Sequence, residues 1–175
     1  LKTINAAGTI AALNAQLTPA AGAVVINTAR AIDLLASTAS GIVVNNSGVI
    51  QGDVLFGTAG NNDILNVGNV NGTANPATGA LNTPNAYAIV AKSATSVGTG
   101  LAPVTTANFI NFGSGTGQQL NVGAFGYVNS IILAGQGGLD INLYNNGTLF
   151  IANTAATGAV NALKLNVQGG TWGLT

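Results

Sequence analysis

Residues 41–72 read GIVVNNSGVIQGDVLFGTAGNNDILNVGNVNG. Short apolar runs alternate with Asn and Gly, and Asp53 and Asp63 are the only charged side chains. The stretch could be a calcium loop, a linker or a repeating structural unit, and repetition along the chain favours the last. A strand, an Asn/Gly turn and a second strand recur as VVNNSGVI from Val43, ILNVGNV from Ile64, QLNVGAF from Gln119 and LYNNGTLFI from Leu143. The turn asparagines are Asn46, Asn66, Asn121 and Asn146. The first two lie 20 residues apart and the last two 25, while the middle interval of 55 would hold two or more turns with an insertion.

A repeat near 20–25 residues, built from short strands, predicts an all-β chain wound as a parallel β-helix, or β-solenoid. Apolar side chains would fill a narrow interior. Asn tolerates the left-handed conformation at corners and can stack as a ladder of side-chain amides, and Gly supplies positive φ. With about 4.8 Å between stacked strands, the chain would form about seven or eight coils, a rod on the order of 35 Å long.

Composition agrees. The 175 residues are 47% hydrophobic, with a mean hydropathy of +0.46, which argues against disorder. Only 5% are charged and the net charge is zero, against about 25% charged in ordinary soluble domains. Nucleic acid needs a basic footprint and is excluded as a partner. Cys and His are absent, which removes disulfides, thiolate metal sites and the usual proton shuttle. No run of 18 or more apolar residues suggests a membrane span. The start, LKTINAAG, lacks the pattern of a signal peptide; with the abrupt end GGTWGLT it suits a processed product or an excised fragment.

The whole of 1–175 reads as one solenoid segment with irregular insertions. Residues 1–21 suit an N-terminal cap. Within them Ile10, Leu13 and Leu17 carry helical spacing over Gly8–Leu17, with a strand as the rival. Residues 71–106 hold Pro76, Pro84 and Pro103 and break the pattern. They read as inserted loops around a strand at Ala86–Lys92.

The 41–72 stretch resembles the passenger domains of bacterial autotransporters, in which segments of the form N-S-G-x-I-x-G-D-V-x-x-G-x-G-N-D-x-L repeat with variation. Residues 112–175 look like later coils of such passengers. The resemblance implies a right-handed parallel β-helix, secretion through the outer membrane and exposure on a Gram-negative cell surface. The C-terminal membrane barrel of that family is not in this sequence, and other secretion routes also deliver β-solenoids.

Candidate chemistry is sparse. GTAGNNDIL, residues 57–65, is similar to the calcium nonapeptide G-G-x-G-x-D-x-U-x but departs from it twice. The favoured reading is a corner with Asp63 capping a turn, with calcium at Asp63 as the alternative. Asp53 and Asp63 could pair as acid and base on adjacent coils, but no cluster of Asp with Arg, Lys or His accompanies them. Ser47, Ser130 and Thr148 lack a His base. Asp140 and Lys164 alternate with apolar neighbours and should face outward. Tyr87, Tyr127, Tyr144 and Trp172 suit the rod interior or its caps better than sugar stacking. Asn45, Asn71 and Asn146 match the glycosylation sequon.

The expectation is therefore no enzyme and no cofactor, but a structural or adhesive module at the bacterial cell surface. Its partners would be host or neighbouring cell surfaces, glycans among them. The rival is an extracellular filament or surface-layer subunit that associates with itself. A polysaccharide-degrading solenoid is the weakest class.

Overall fold

In a computed structural model of the chain, the described residues are 3–6, 9–11, 30–58, 60–70, 88–91, 93–95, 104–135, 137–152 and 163–174. They are all-β, with parallel strands arranged in sheets and almost no helix. One six-stranded sheet takes β1 (Thr3–Ala6), β4 (Val43–Asn46), β7 (Ile64–Val67), β12 (Gln118–Val122), β14 (Leu139–Leu143) and β16 (Leu163–Val167) in chain order. A nine-stranded sheet holds β2 (Thr9–Ala11), β3 (Arg30–Asp33), β5 (Val49–Gln51), β6 (Asp53–Leu55), β8 (Ala88–Ala91), β11 (Asn108–Asn111), β13 (Gly126–Leu133), β15 (Thr148–Ile151) and β17 (Thr171–Leu174). β9 (Ser93–Thr95) and β10 (Val104–Thr106) form an antiparallel pair apart from both.

The nine-stranded sheet divides along β13. Its first half pairs with β8 and β15, and its second half pairs with β11. Two ladders result. One runs β2–β5–β8–β13–β15–β17, the other β3–β6–β11–β13, and every pairing in them is parallel.

Alternation selects the buried face. In the six-stranded sheet, register aligns Ile4, Val44, Leu65, Leu120, Ile141 and Leu165. A second inward column aligns Ala6, Asn46, Val67, Val122, Leu143 and Val167. Because the strand period is two, the residues between them face the other way. Ile50, Val90, Val128 and Leu149 form a column in the second ladder, and Ile32, Val54, Ile110 and Ile132 form one in the third. All eight are buried and share one core with Phe56 and Phe112. Those two rings stack at 4.7 Å with planes 7° apart.

The short β-branched runs set the strands, and tight links bend the chain between them. Gly52 lies at φ 125° between β5 and β6, Phe125 at 61° between β12 and β13, and Asn146 at 62° between β14 and β15.

The expected break at 71–106 contains β8, which lies in the nine-stranded sheet at Ala88–Ala91, inside the expected strand 86–92. The antiparallel β9–β10 pair follows it. Much of 71–106 lies outside the described residues, as does most of 1–21. Of the stretch offered as helix or strand at Gly8–Leu17, Thr9–Ala11 is a strand and 12–17 lies outside the described residues. The six-stranded sheet is shorter than seven or eight coils would give, because residues 68–117 add no described strand to it and β7 pairs directly with β12.

Leu120 sits at the centre of the first column, fully buried. Leu120→Ala should lower unfolding free energy by about 2–5 kcal/mol. Its half-buried neighbour Gln119, changed to Ala, should stay within about 0.5 kcal/mol. Urea unfolding followed by circular dichroism checks both.

Candidate functional site

The densest polar arrangement is a column of asparagines on the six-stranded sheet. Asn45, Asn66, Asn121, Asn142 and Asn166 occupy one register position, which Asn5 shares on β1. Asn66 Nδ2 donates to Asn45 Oδ1 at 2.8 Å. Asn121 Nδ2 donates to Asn66 Oδ1 at 2.9 Å, Asn142 Nδ2 to Asn121 Oδ1 at 2.8 Å, and Asn166 Nδ2 to Asn142 Oδ1 at 2.9 Å. Each inner amide donates to one neighbour and accepts from the other. The chain of dipoles runs one way, so successive bonds polarise one another.

The four predicted turn asparagines separate. Asn146 stands in the β14–β15 turn at positive φ. Asn46 ends β4, where its Oδ1 accepts from Gly48 N–H and its Nδ2 donates to the Ile89 carbonyl. Asn66 and Asn121 lie inside strands, as ladder members. Asn46 is thus not the equivalent of Asn66; register aligns Asn45 with Asn66. Asn142 and Asn166 are ladder members that no Asn/Gly turn motif marks. The signal was available: ILNV, QLNV and KLNV place Asn between two apolar residues, and DINL does the same for Asn142.

Asp63 is fully buried just before β7, in line with Gln118 on the next strand. Its Oδ1 accepts from Ile42 N–H at 2.8 Å, and its own N–H donates to Gln118 Oε1 at 2.7 Å. Gln118 Nε2 donates to the carbonyls of Gly60 and Phe112. Asp63 therefore ties three segments together. Its Oδ2 has no hydrogen-bond partner among the described residues. Gly60 leaves it room: a Cβ there would come within 2.5 Å of Oδ2 and 2.8 Å of the Ala39 carbonyl. Calcium requires six to eight oxygens. No group of three or more potential metal-ligating side chains occurs among the described residues, and Asp63 Oδ1 is already bonded. These residues do not fit a calcium shell.

Every acid has a structural contact. Asp53 Oδ1 accepts from Phe109 N–H on the neighbouring strand. It belongs to β6 in the nine-stranded sheet, whereas Asp63 is buried beside the six-stranded one. The two are not register partners. Lys164 reaches Asp140 at 3.9 Å across adjacent strands on the outer face. Arg30 donates to Asp33 at 2.7 Å, and that bond, with Leu35 N–H, holds the Asp33 carboxyl below its ordinary range. A depressed carboxyl stabilises the fold at neutral pH and loses that contribution as acid protonates it.

Ser130 is buried and donates to Asn108 Oδ1, and Ser47 is buried against the Ala6 carbonyl. Neither is placed as a nucleophile. Tyr127 is buried against Phe150, their rings 5.9 Å apart, and Tyr144 is half-buried. Trp172 is exposed on β17. Tyr87 and Asn71 lie outside the described residues. Thr148 and Asn146 line an open groove of about 640 Å³ with Phe125, Asn145 and Thr171, walled by amides, hydroxyls and one ring. Among the described residues no helix is long and apolar enough to cross a membrane.

Comparison with protein-family models, curated proteins and solved structures finds no match to this chain. The functional reading therefore stands on the sequence and the geometry.

Asn121→Ala removes one donor and one acceptor from mid-ladder and should cost about 1–3 kcal/mol. Asp63→Ala strips Ile42 N–H of its acceptor, with a similar loss. Asp63→Asn keeps that acceptor and changes only the carboxyl oxygen that bonds to nothing described, so its thermal midpoint should stay far closer to the native one than that of Asp63→Ala. Millimolar calcium should leave the native midpoint unmoved. A calcium-dependent rise abolished by Asp63→Asn would restore the metal reading.

Proposed function

We propose that the chain winds as a right-handed parallel β-helix and serves as a stiff structural or adhesive module of a secreted bacterial surface protein. The order of pairing supports the winding. The chain passes from the six-stranded sheet to the second ladder, then the third, and returns one strand higher in parallel register. Parallel crossover connections are strongly biased to the right hand. The autotransporter resemblance of 41–72 points the same way.

The observation that carries the reading is the continuous asparagine ladder with apolar columns beside it. Such a stack makes a rigid rod whose outer surface is free to vary, so elements such as the β9–β10 pair can stand apart from it while the stack remains. The four acids hold loops and strands, which favours presentation over catalysis. Recognition would use neutral surface. The groove beside Asn145, Asn146 and Thr148 offers amide and hydroxyl groups suited to sugar hydroxyls on a host or neighbouring cell.

Beads coated with the chain should adhere to epithelial or bacterial cells above albumin-coated controls, and the binding should change little with salt because the chain has no net charge. Oxidation of target glycans with periodate should reduce it. Absence of adhesion, or cleavage of pectin or alginate lost in Asp53→Asn, would overturn the proposal.

A further inference from the structure

Three tight links carry the chain from the six-stranded sheet into the second ladder, at 123–125, 144–147 and 168–170. They stack, because the strands on either side of them are in register. Phe125 N–H donates to the Asn146 carbonyl at 3.1 Å, and Thr171 N–H donates to the Gly147 carbonyl at 2.9 Å. A Cβ at Gly169 would strike Asn145 Oδ1, so glycine there lets the Asn145 amide lie against the next link. The open groove of about 640 Å³ runs across this stack. Backbone hydrogen bonds thus set its walls before any ligand arrives, which lowers the ordering cost of binding.

Phe125 is the anomaly in it. Among the described residues, the non-glycine side chains at positive φ are Asn62 at 57°, Phe125 at 61° and Asn146 at 62°. Phe125 and Asn146 both line this groove. Asparagine tolerates the left-handed region because its amide bonds locally, whereas a bulky side chain there is strained and glycine is the easy choice. The core does not offset that strain. Phe125 is half-buried and belongs to neither apolar cluster of the described residues. Strain kept at a surface groove points to a use for the side chain that causes it.

The rest of the lining is polar and uncharged. Asn145, Asn146 and Thr171 are exposed and Thr148 is half-buried. None of these four side chains hydrogen-bonds another described residue. An amide presents both donors and an acceptor, and a hydroxyl does both as well. A pyranose carries a flat patch of C–H groups ringed by hydroxyls, and an aromatic face beside free amides and hydroxyls matches it. A carboxylate or sulfate would enter with no cation to meet it, and its lost hydration would go uncompensated. The volume falls within the range of about 300–1,000 Å³ typical of ligand sites, and an open groove lets a sugar chain lie across it.

We propose that this groove binds a neutral oligosaccharide, with Phe125 stacked on the C–H face of one pyranose and Asn145, Asn146 and Thr148 bonded to its hydroxyls. The inference rests on the adhesive reading above and deepens it. A strained aromatic where glycine would fit is then accounted for: the ring serves the ligand, not the fold.

A printed array of defined oligosaccharides, neutral ones beside sialylated and uronic ones, tests this. The native chain should bind neutral members, and calorimetry gives the Kd of the tightest. Phe125→Gly relieves the strain, so it should keep a thermal midpoint near the native one yet weaken that binding about tenfold. Phe125→Tyr should retain it. Asn145→Ala changes an exposed link residue and should weaken it several-fold. Binding to acidic members alone, no binding at all, or a Phe125→Gly that binds as tightly as the native chain would overturn the inference. If Phe125→Gly does not fold, Phe125→Leu carries the test, since it keeps apolar bulk and removes the aromatic face; undiminished binding by Phe125→Leu would contradict the stacking. The two readings fail separately. Coated beads that adhere to cells while the array stays empty remove the saccharide site and leave the adhesive module. Array binding without adhesion supports the site and removes the cell-surface role.

Discussion

The structure depends on a single register, and the asparagine ladder is what makes that register unique. Apolar columns reward burial, but burial alone is permissive: Val, Leu and Ile exchange places at small cost. An Asn amide is less tolerant. A slip of one residue would turn the ladder to the other face and put five amides into the core. Each would then lose its partners at a cost of about 1–3 kcal/mol. The ladder therefore selects against misalignment more than it adds net stability.

That constraint reaches the rest of the chain through the tight links. Once the strands of the six-stranded sheet are aligned, the short connections at Ser47–Gly48 and Gly123–Phe125 leave little freedom, and the second ladder falls into step. Asp63 and Gln118 act at the corner before the sheet. They stand in the inward column where Leu139 follows, so polar groups occupy a position that aliphatic residues fill elsewhere. Gln118 is fully satisfied and Asp63 is not. The neutral surface then follows from composition, and the charges among the described residues are used in local pairs or backbone contacts.

The all-β class was legible in the sequence because short runs of β-branched residues, separated by Asn and Gly, recur along it. The strand inside 71–106 was legible from the run NAYAIVAK, while most of the expected break around it lies outside the described residues. The ladder was only partly legible. Asn next to Gly signals a turn, and that signal is correct at Asn146. It misleads at Asn66 and Asn121, where Asn sits between apolar neighbours within a strand. Spacing failed for a related reason. Residues 66 and 121 are 55 apart yet adjacent in space, because no described strand between β7 and β12 enters that sheet. Asp63 was visible as an unusual acid, but its partners lie 21 and 55 residues away, beyond any local pattern.

The central claim is the ladder itself, and side-chain amide hydrogen exchange measures it most directly. At 17.1 kDa the chain is within reach of solution NMR. The Nδ2 protons of Asn66, Asn121 and Asn142 should exchange far more slowly than those of the exposed Asn61 and Asn145, and Asn121→Ala should accelerate exchange at Asn142, whose acceptor it removes. Ladder amides that exchange as fast as exposed ones, or an Asn142 indifferent to the loss of Asn121, would contradict the account.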